Sequence, residues 1–147
     1  MSKIRVLFLC TGNSARSIIG AALLKQMAGD QFDVFSAGTH PKGINPYTVR
    51  ALNAAHIDIS DERSKNVSEF AGQSFDYVIT VCDSAAEECA VFPGDPERIH
   101  WSFVDPAAVE GTDDEKYHAF QKTVREMQTR LSMFVTVAKR RAATPGE

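Results

Sequence analysis

The apolar run Ile4-Arg5-Val6-Leu7-Phe8-Leu9 passes without a break into Cys10-Thr11-Gly12-Asn13-Ser14-Ala15-Arg16-Ser17. A nearly continuous apolar strand suits a position buried on both faces, as in a parallel sheet. The polar, glycine-containing octet then reads as a loop leading into a helix. Five residues separate Cys10 from Arg16, enough chain to curl backbone N–H groups toward one point beside the sulfur, with the guanidinium closing the ring. A helix starting there adds free donors and positive partial charge. Thr11, Gly12, Asn13, Ser14, Ala15, Arg16 and Ser17 are therefore expected to bind an oxyanion, with the Cys10 sulfur at the floor. The same field favours the thiolate, the nucleophilic form of cysteine.

Further apolar runs at Phe32 to Ser36, Asp76 to Val81 and Arg98 to Trp101 read as strands, with helical patterns between them. Ile19, Ala22, Leu23 and Met27 recur at helical spacing, and Asn45-Pro46 opens a second helix through Val49 and Leu52. A long helix is expected from about Asp114 to Lys139, with Tyr117, Phe120, Val124, Met127, Leu131 and Phe134 along its core side. Alternating strands and helices predict an open α/β sheet whose site lies beyond the carboxyl ends of the strands. Cys10, the Ser36-Ala37-Gly38 segment, Cys82 and the stretch from Trp101 to Asp105 all fall there. The glycine- and proline-broken stretch from Ser36 to Pro46 is expected to loop over the site.

Length and charge narrow the class. The 147 residues suit one catalytic domain over residues 1–141, with residues 142–147 as a disordered tail. A net charge of −3 argues against a nucleic-acid binder, and Lys139-Arg140-Arg141 reads as a solvated helix end. No run approaches the length of a membrane span and the start lacks a secretory layout, so a cytoplasmic protein that binds no membrane is expected. Three cysteines, Cys10, Cys82 and Cys89, are an odd count for a disulfide framework. The close ligand pairs of a structural zinc site are absent too, so no metal is expected. The histidines His40, His56, His100 and His118 show no ligand spacing and read as structural or surface residues.

Within the octet, Asn13 suits a left-handed loop conformation and can tie the loop together through its amide. Ser17 suits either a helix N-cap or a donor to the Cys10 sulfur. A cation at a helix start, as Arg16 would be, is unfavourable unless an anion compensates it. Asp105 precedes Pro106 and is expected to be extended, with an N-cap as its simplest role. Trp101 and Phe103 read as packing that positions the Asp105 loop.

With these motifs the chain resembles the low-molecular-weight tyrosine phosphatase superfamily and, within it, the thiol-dependent arsenate reductases. The resemblance runs from VLFLCTGNSARS through Ser36 to Gly38, Asp58-Ile59-Ser60 and VITVCDSAAEEC to the HWSFVDP run ending at Pro106. It implies a four-stranded parallel sheet flanked by helices, Cys10 as nucleophile, Arg16 as oxyanion ligand and Asp105 as the acid that protonates the departing oxygen. It also implies arsenate as substrate in arsenic detoxification, with phosphate and sulfate as competing anions. No cofactor is expected to be tightly bound.

Chemistry separates the two activities of that superfamily. A phosphatase needs one thiolate and then water, whereas reducing As(V) to As(III) takes two electrons, which two thiols supply by becoming a disulfide. Cys10 would attack arsenate, Cys82 would attack the Cys10 sulfur and release arsenite, and Cys89 would take over Cys82 and pass the disulfide to an external thiol. That sequence resembles reductases regenerated by thioredoxin. If Asp83 to Glu88 is helical, Cys82 and Cys89 stand roughly 10 Å apart along the axis, beyond the reach of about 7 Å for a disulfide. The segment is then expected to unwind during turnover.

The rival readings are a tyrosine phosphatase using Cys10, Arg16 and Asp105 alone, and a non-enzymatic module that binds oxyanions or senses oxidation at Cys10. Such phosphatases commonly place adjacent tyrosines after the Asp-Pro, whereas this chain has only the isolated Tyr117. Two departures from the resemblance stand out. Ile19-Gly20-Ala21 replaces a Met-Ala-Glu, which puts any monovalent-cation site in doubt, and Ala90 replaces a proline after the last cysteine.

Overall fold

A computed structural model of the chain describes residues 3–81 and 94–143. Strand β1 (Ile4–Cys10) lies inside a four-stranded sheet of order β2-β1-β3-β4, with β2 at Phe32–Gly38, β3 at Tyr77–Thr80 and β4 at Glu97–His100. Every pairing is parallel, as the strand composition predicts. Because β1 is paired on both sides, Val6, Leu7, Phe8 and Leu9 are fully buried, which is why this stretch is apolar on both faces.

Helices α1 (Arg16–Ala28), α2 (Pro46–Ala54) and α3 (Asp113–Ala142) pack around one another, α1 also lying against β1 and β2. Phe134 of α3 meets the rings of Phe32, Tyr77 and Trp101, so one helix residue ties β2, β3 and the segment after β4 together. The parallel register puts Val6, Phe8, Cys10, Phe32 and Tyr77 on this face. On the other face Phe35 packs edge-on against Phe70 and Phe75, and Arg5 lies over the Phe35 and Phe75 rings.

The boundaries differ from those expected in instructive ways. β1 and β2 run on through Cys10 and Gly38, since each continues to find its neighbour in register. β3 loses Asp76, whose carboxylate accepts the Arg5 N–H at 2.8 Å. β4 begins one residue early and is not buried on both faces. It is an edge strand with Glu97, Arg98 and His100 exposed. Nor does α1 bury only one stripe. Every residue from Ser17 to Leu24 is buried because the sheet, α2 and α3 surround it, while Met27 in the last turn is exposed.

α3 starts at Asp113, where Thr112 and Glu115 form a capping box: the Thr112 hydroxyl accepts the Glu115 N–H and the Glu115 carboxylate accepts the Thr112 N–H. It continues through Ala142, the first residue of the expected tail; residues 144–147 lie outside those described. Its basic last turn complements the dipole, and Arg141 also grips the Glu97 carboxylate through contacts of 2.8 and 2.9 Å. At the opposite end Asp113 accepts from the Tyr47 hydroxyl at 2.6 Å and from Arg50 at 3.0 Å, clasping α2 to α3. Arg50 in turn lies 3.9 Å over the Tyr117 ring.

The Tyr47 hydroxyl and Arg50 hold the Asp113 carboxyl below its ordinary 3.8. A depressed carboxyl stabilises the fold above its unfolded value and loses that contribution as pH falls through the folded one. Asp113→Asn should therefore lower stability at neutral pH and leave it less sensitive to acid below 3.8, as read from urea midpoints between neutral pH and about pH 3.

Candidate active site

At the carboxyl end of β1 the chain turns outward, and its carbonyl groups are taken up from outside the loop. Thr39 N–H donates to Cys10 O, His40 N–H to Thr11 O, Lys42 N–H to Gly12 O and Asn45 N–H to Ser14 O, at 2.8 to 3.1 Å. The Ser64 hydroxyl adds a second donor to Gly12 O and the Thr48 hydroxyl a second to Ser14 O. In a planar trans peptide the N–H points opposite to the C=O. The amides that follow these carbonyls, on Thr11, Gly12, Asn13 and Ala15, are thus turned toward the inside of the loop. Asn13 N–H reaches the Cys10 sulfur at 3.1 Å.

Asn13 takes a positive φ of 44° and is fully buried, as its residue type predicts. Its side-chain oxygen accepts the Lys65 N–H at 2.7 Å, which fixes which way the amide faces. Its Nδ2 then donates to Ser17 Oγ at 2.8 Å. Ser17 Oγ also lies 2.7 Å from Cys10 Sγ, where its hydroxyl is placed to donate to the sulfur in its thiolate form. Of the two roles expected for Ser17, only the contact with sulfur is realised. The N-cap is Ala15, with no side-chain cap, and no acidic residue occupies the first turn of α1. The first helical bond is Ile19 N–H to Ala15 O, so the Arg16 and Ser17 amides lie ahead of it at the positive end of the helix.

Gly38 makes the loop possible from behind. A Cβ there would stand 2.5 Å from Thr11 O and 2.8 Å from Asn13 N, both backbone atoms. Its own N–H donates to Lys65 O at 2.8 Å.

Arg16 and Asp105 come together as expected. Arg16 donates to Phe103 O at 3.0 Å and lies 3.6 Å from an Asp105 carboxylate oxygen. Asp105 is extended, and its other oxygen accepts the Ala107 N–H at 2.9 Å, capping the 3-10 turn Pro106–Ala108. The capping contact leaves the second oxygen facing the guanidinium. Trp101 and Phe103 meet edge-on, Trp101 also touches Phe8 and Phe134, and Arg130 lies over both rings. This platform holds the backbone that carries Asp105.

A cleft of about 530 Å³ opens above the sulfur. Among the described residues, Cys10, Thr11, Gly12, Ser14, Ala15 and Arg16 form its floor and Asp105 one wall, while Asn13 and Ser17 are buried behind it. His40 and Lys42 also line it, Lys42 beside Gly12. Sequence reading set His40 aside and did not single out Lys42; the glycine and proline punctuation of residues 36–46 was the available signal. Cys82 and Cys89, with the expected helix between them, lie outside the described residues. Among the described residues, no cluster of three or more His, Cys, Asp or Glu side chains could hold a metal ion, and no helix is long and apolar enough to cross a membrane.

The family model described as low molecular weight phosphotyrosine protein phosphatase matches residues 5–143. The chain belongs to that family. Within it, the chain is 41% identical over 139 residues to an arsenate reductase of Halalkalibacterium halodurans, covering 95% of this chain and all of that one. The structure of an arsenate reductase from Archaeoglobus fulgidus superposes with a TM-score of 0.71 at 29% identity, covering 89% of this chain and 98% of that one. A thioredoxin-dependent arsenate reductase of Corynebacterium glutamicum superposes with a TM-score of 0.61 at 29% identity, covering 89% and 63% of the two chains. The sheet order and the loop after β1 described above are thus those of a phosphatase-family member whose similar relatives include reductases.

The Gly38 contact yields a direct expectation. Gly38→Ala should displace the Thr11 and Asn13 backbone, lower stability by about 1–3 kcal/mol, and weaken phosphate binding. Urea denaturation and protection of Cys10 from iodoacetamide by phosphate measure the two effects.

Proposed function

We propose that this chain reduces arsenate to arsenite through a covalent intermediate on Cys10. The observation that carries the reading is the Cys10 sulfur itself, hydrogen-bonded to Ser17 and to the Asn13 amide at the floor of a cleft walled by Arg16 and Asp105. Its relatives named arsenate reductase support the choice of substrate.

In this mechanism a tetrahedral oxyanion settles on the inward amides of residues 11–17, its charge met by Arg16 and the start of α1. The Cys10 thiolate attacks arsenic, and one As–O bond breaks. Asp105 takes up a proton as the oxyanion engages Arg16 and passes it to the departing oxygen, which leaves as water. The Cys82 thiolate then attacks the Cys10 sulfur. The S–As bonding pair passes to arsenic, As(V) becomes As(III), and arsenite departs as the Cys10–Cys82 disulfide forms. Attack by Cys89 on Cys82 returns the Cys10 thiolate and leaves a Cys82–Cys89 disulfide. An external dithiol reduces that bond, and the thioredoxin-dependent relative supports thioredoxin in this role. Phosphate and sulfate, alike in shape and charge, compete for the loop, and slow phosphate ester hydrolysis by Cys10, Arg16 and Asp105 is expected alongside. Such a cycle runs in reducing cytoplasm.

The test is arsenate turnover coupled to thioredoxin, thioredoxin reductase and NADPH. Asp105→Asn should cut turnover by about a hundredfold or more, and Cys89→Ser should accumulate a Cys10–Cys82 disulfide detectable by peptide mass mapping. Full multiple turnover by Cys82→Ser would sink the relay. Efficient catalytic hydrolysis of phosphotyrosine by the Cys82→Ser, Cys89→Ser double variant, with no arsenate turnover by the wild type, would make the protein a phosphatase.

A further inference from the structure

We propose that Lys42 is a substrate-binding residue, its ammonium meeting the oxyanion from the Gly12 side of the loop. The assignment rests on reading the cleft as an oxyanion site and adds to it a second cationic contact. The backbone and the stem of Lys42 both lie against Gly12. Its N–H donates to Gly12 O at 3.0 Å. Its Cε, Cγ and Cδ would lie 2.8, 3.1 and 3.3 Å from a Cβ on Gly12. The aliphatic chain therefore lies across the α-carbon of Gly12, and the ammonium beyond it lines the cleft. Among the described residues that ammonium has neither an ion-pair partner nor a hydrogen bond.

Charge balance explains why a second cation belongs there. Among the described residues, and apart from His40, the charged side chains lining the cleft are Arg16, Asp105 and Lys42. Arg16 lies 3.6 Å from Asp105 and donates to Phe103 O, so its charge is already partly answered within the protein. The uncompensated cation is Lys42. Arsenate and phosphate are close to dianions at neutral pH, and they approach a site that also holds a thiolate. A lysine on a flexible stem can follow such an anion as a point charge, whereas the Arg16 fork is held in one plane. Glycine at position 12 is what lets the stem cross so close to the loop.

The contact also distinguishes substrate from product. Arsenous acid is uncharged near neutral pH, so reduction removes the charge that Lys42 attracts, and the product leaves without having to break an ion pair. The loss on substitution should accordingly fall on KM for arsenate rather than on kcat.

Lys42→Met tests this while keeping the stem on Gly12, and Lys42→Arg keeps the charge. The primary readout needs no turnover: the concentration of inorganic phosphate that half-protects Cys10 from iodoacetamide. It should rise about tenfold in Lys42→Met and change by less than about threefold in Lys42→Arg. The melting temperature of both should stay at the wild-type value. The protection should lose part of its dependence on sodium chloride in Lys42→Met. Equal protection of wild type and Lys42→Met overturns the proposal, as does a loss shared by both variants together with a lower melting temperature, which would make Lys42 only loop packing. If phosphate protection falls in Lys42→Met although the wild type reduces no arsenate, Lys42 remains an anion ligand and only the proposed reaction fails.

Discussion

The buried amide of Asn13 is the contact on which the site depends. Its oxygen is claimed by the backbone at residue 65, its nitrogen by Ser17, and its own backbone N–H by the Cys10 sulfur. One side chain therefore fixes the left-handed turn of the loop, holds Ser17 against the sulfur and links the loop to the segment bridged to the end of β2. Each of these groups would carry a desolvation cost if it were left unpaired at zero exposure. With Cys10 as a thiolate, the network brings two donors to the sulfur, the Asn13 N–H and the Ser17 hydroxyl.

Around this centre the protein spends its neighbours on keeping carbonyl oxygens away from the cleft. Segment 39–48 donates to the outer side of the loop at residue after residue, so the loop presents mostly N–H groups to an incoming anion. Arg16 occupies an electrostatically poor place at the start of α1, and Asp105 moderates that charge. The same carboxylate caps a short turn with its other oxygen. Structural capping and the acid role proposed for Asp105 thus fall to one residue whose two oxygens face different ways.

Much of this was legible in the chain because local residue types and strand periodicity carry it. Strand β1, the loop, the positive φ of Asn13 and the extended, capping Asp105 follow from residues whose conformational preferences agree with their setting. The misses have a common cause: they depend on neighbours distant in sequence. Apolar periodicity cannot say that β4 lies at the sheet edge or that α1 is enclosed on nearly every side. The N-cap role of Ser17 was a sound local option, but α1 already begins at Arg16, and the hydroxyl bonds Cys10 and Asn13 of the loop, itself held in place by the distant residue 65. Thr112 and Glu115 did carry a local capping signal three residues apart, which places the start of α3 more sharply than its apolar stripe does. Lys42 had no signature of its own, since its importance arises only when residues 39–45 fold across Gly12.

The double pairing of β1 has a mechanical consequence. Cys10 is the last residue of this strand, paired with Gly38 of β2 one step beyond the last pairing with β3, and the loop beyond it is fastened from outside at nearly every peptide. A sulfur mounted on such a rail has almost no travel. Any second sulfur that is to bond with it must make the whole journey, and the economy of a disulfide cycle here is therefore set by how far the partner thiol moves, with Cys10 as the fixed terminus.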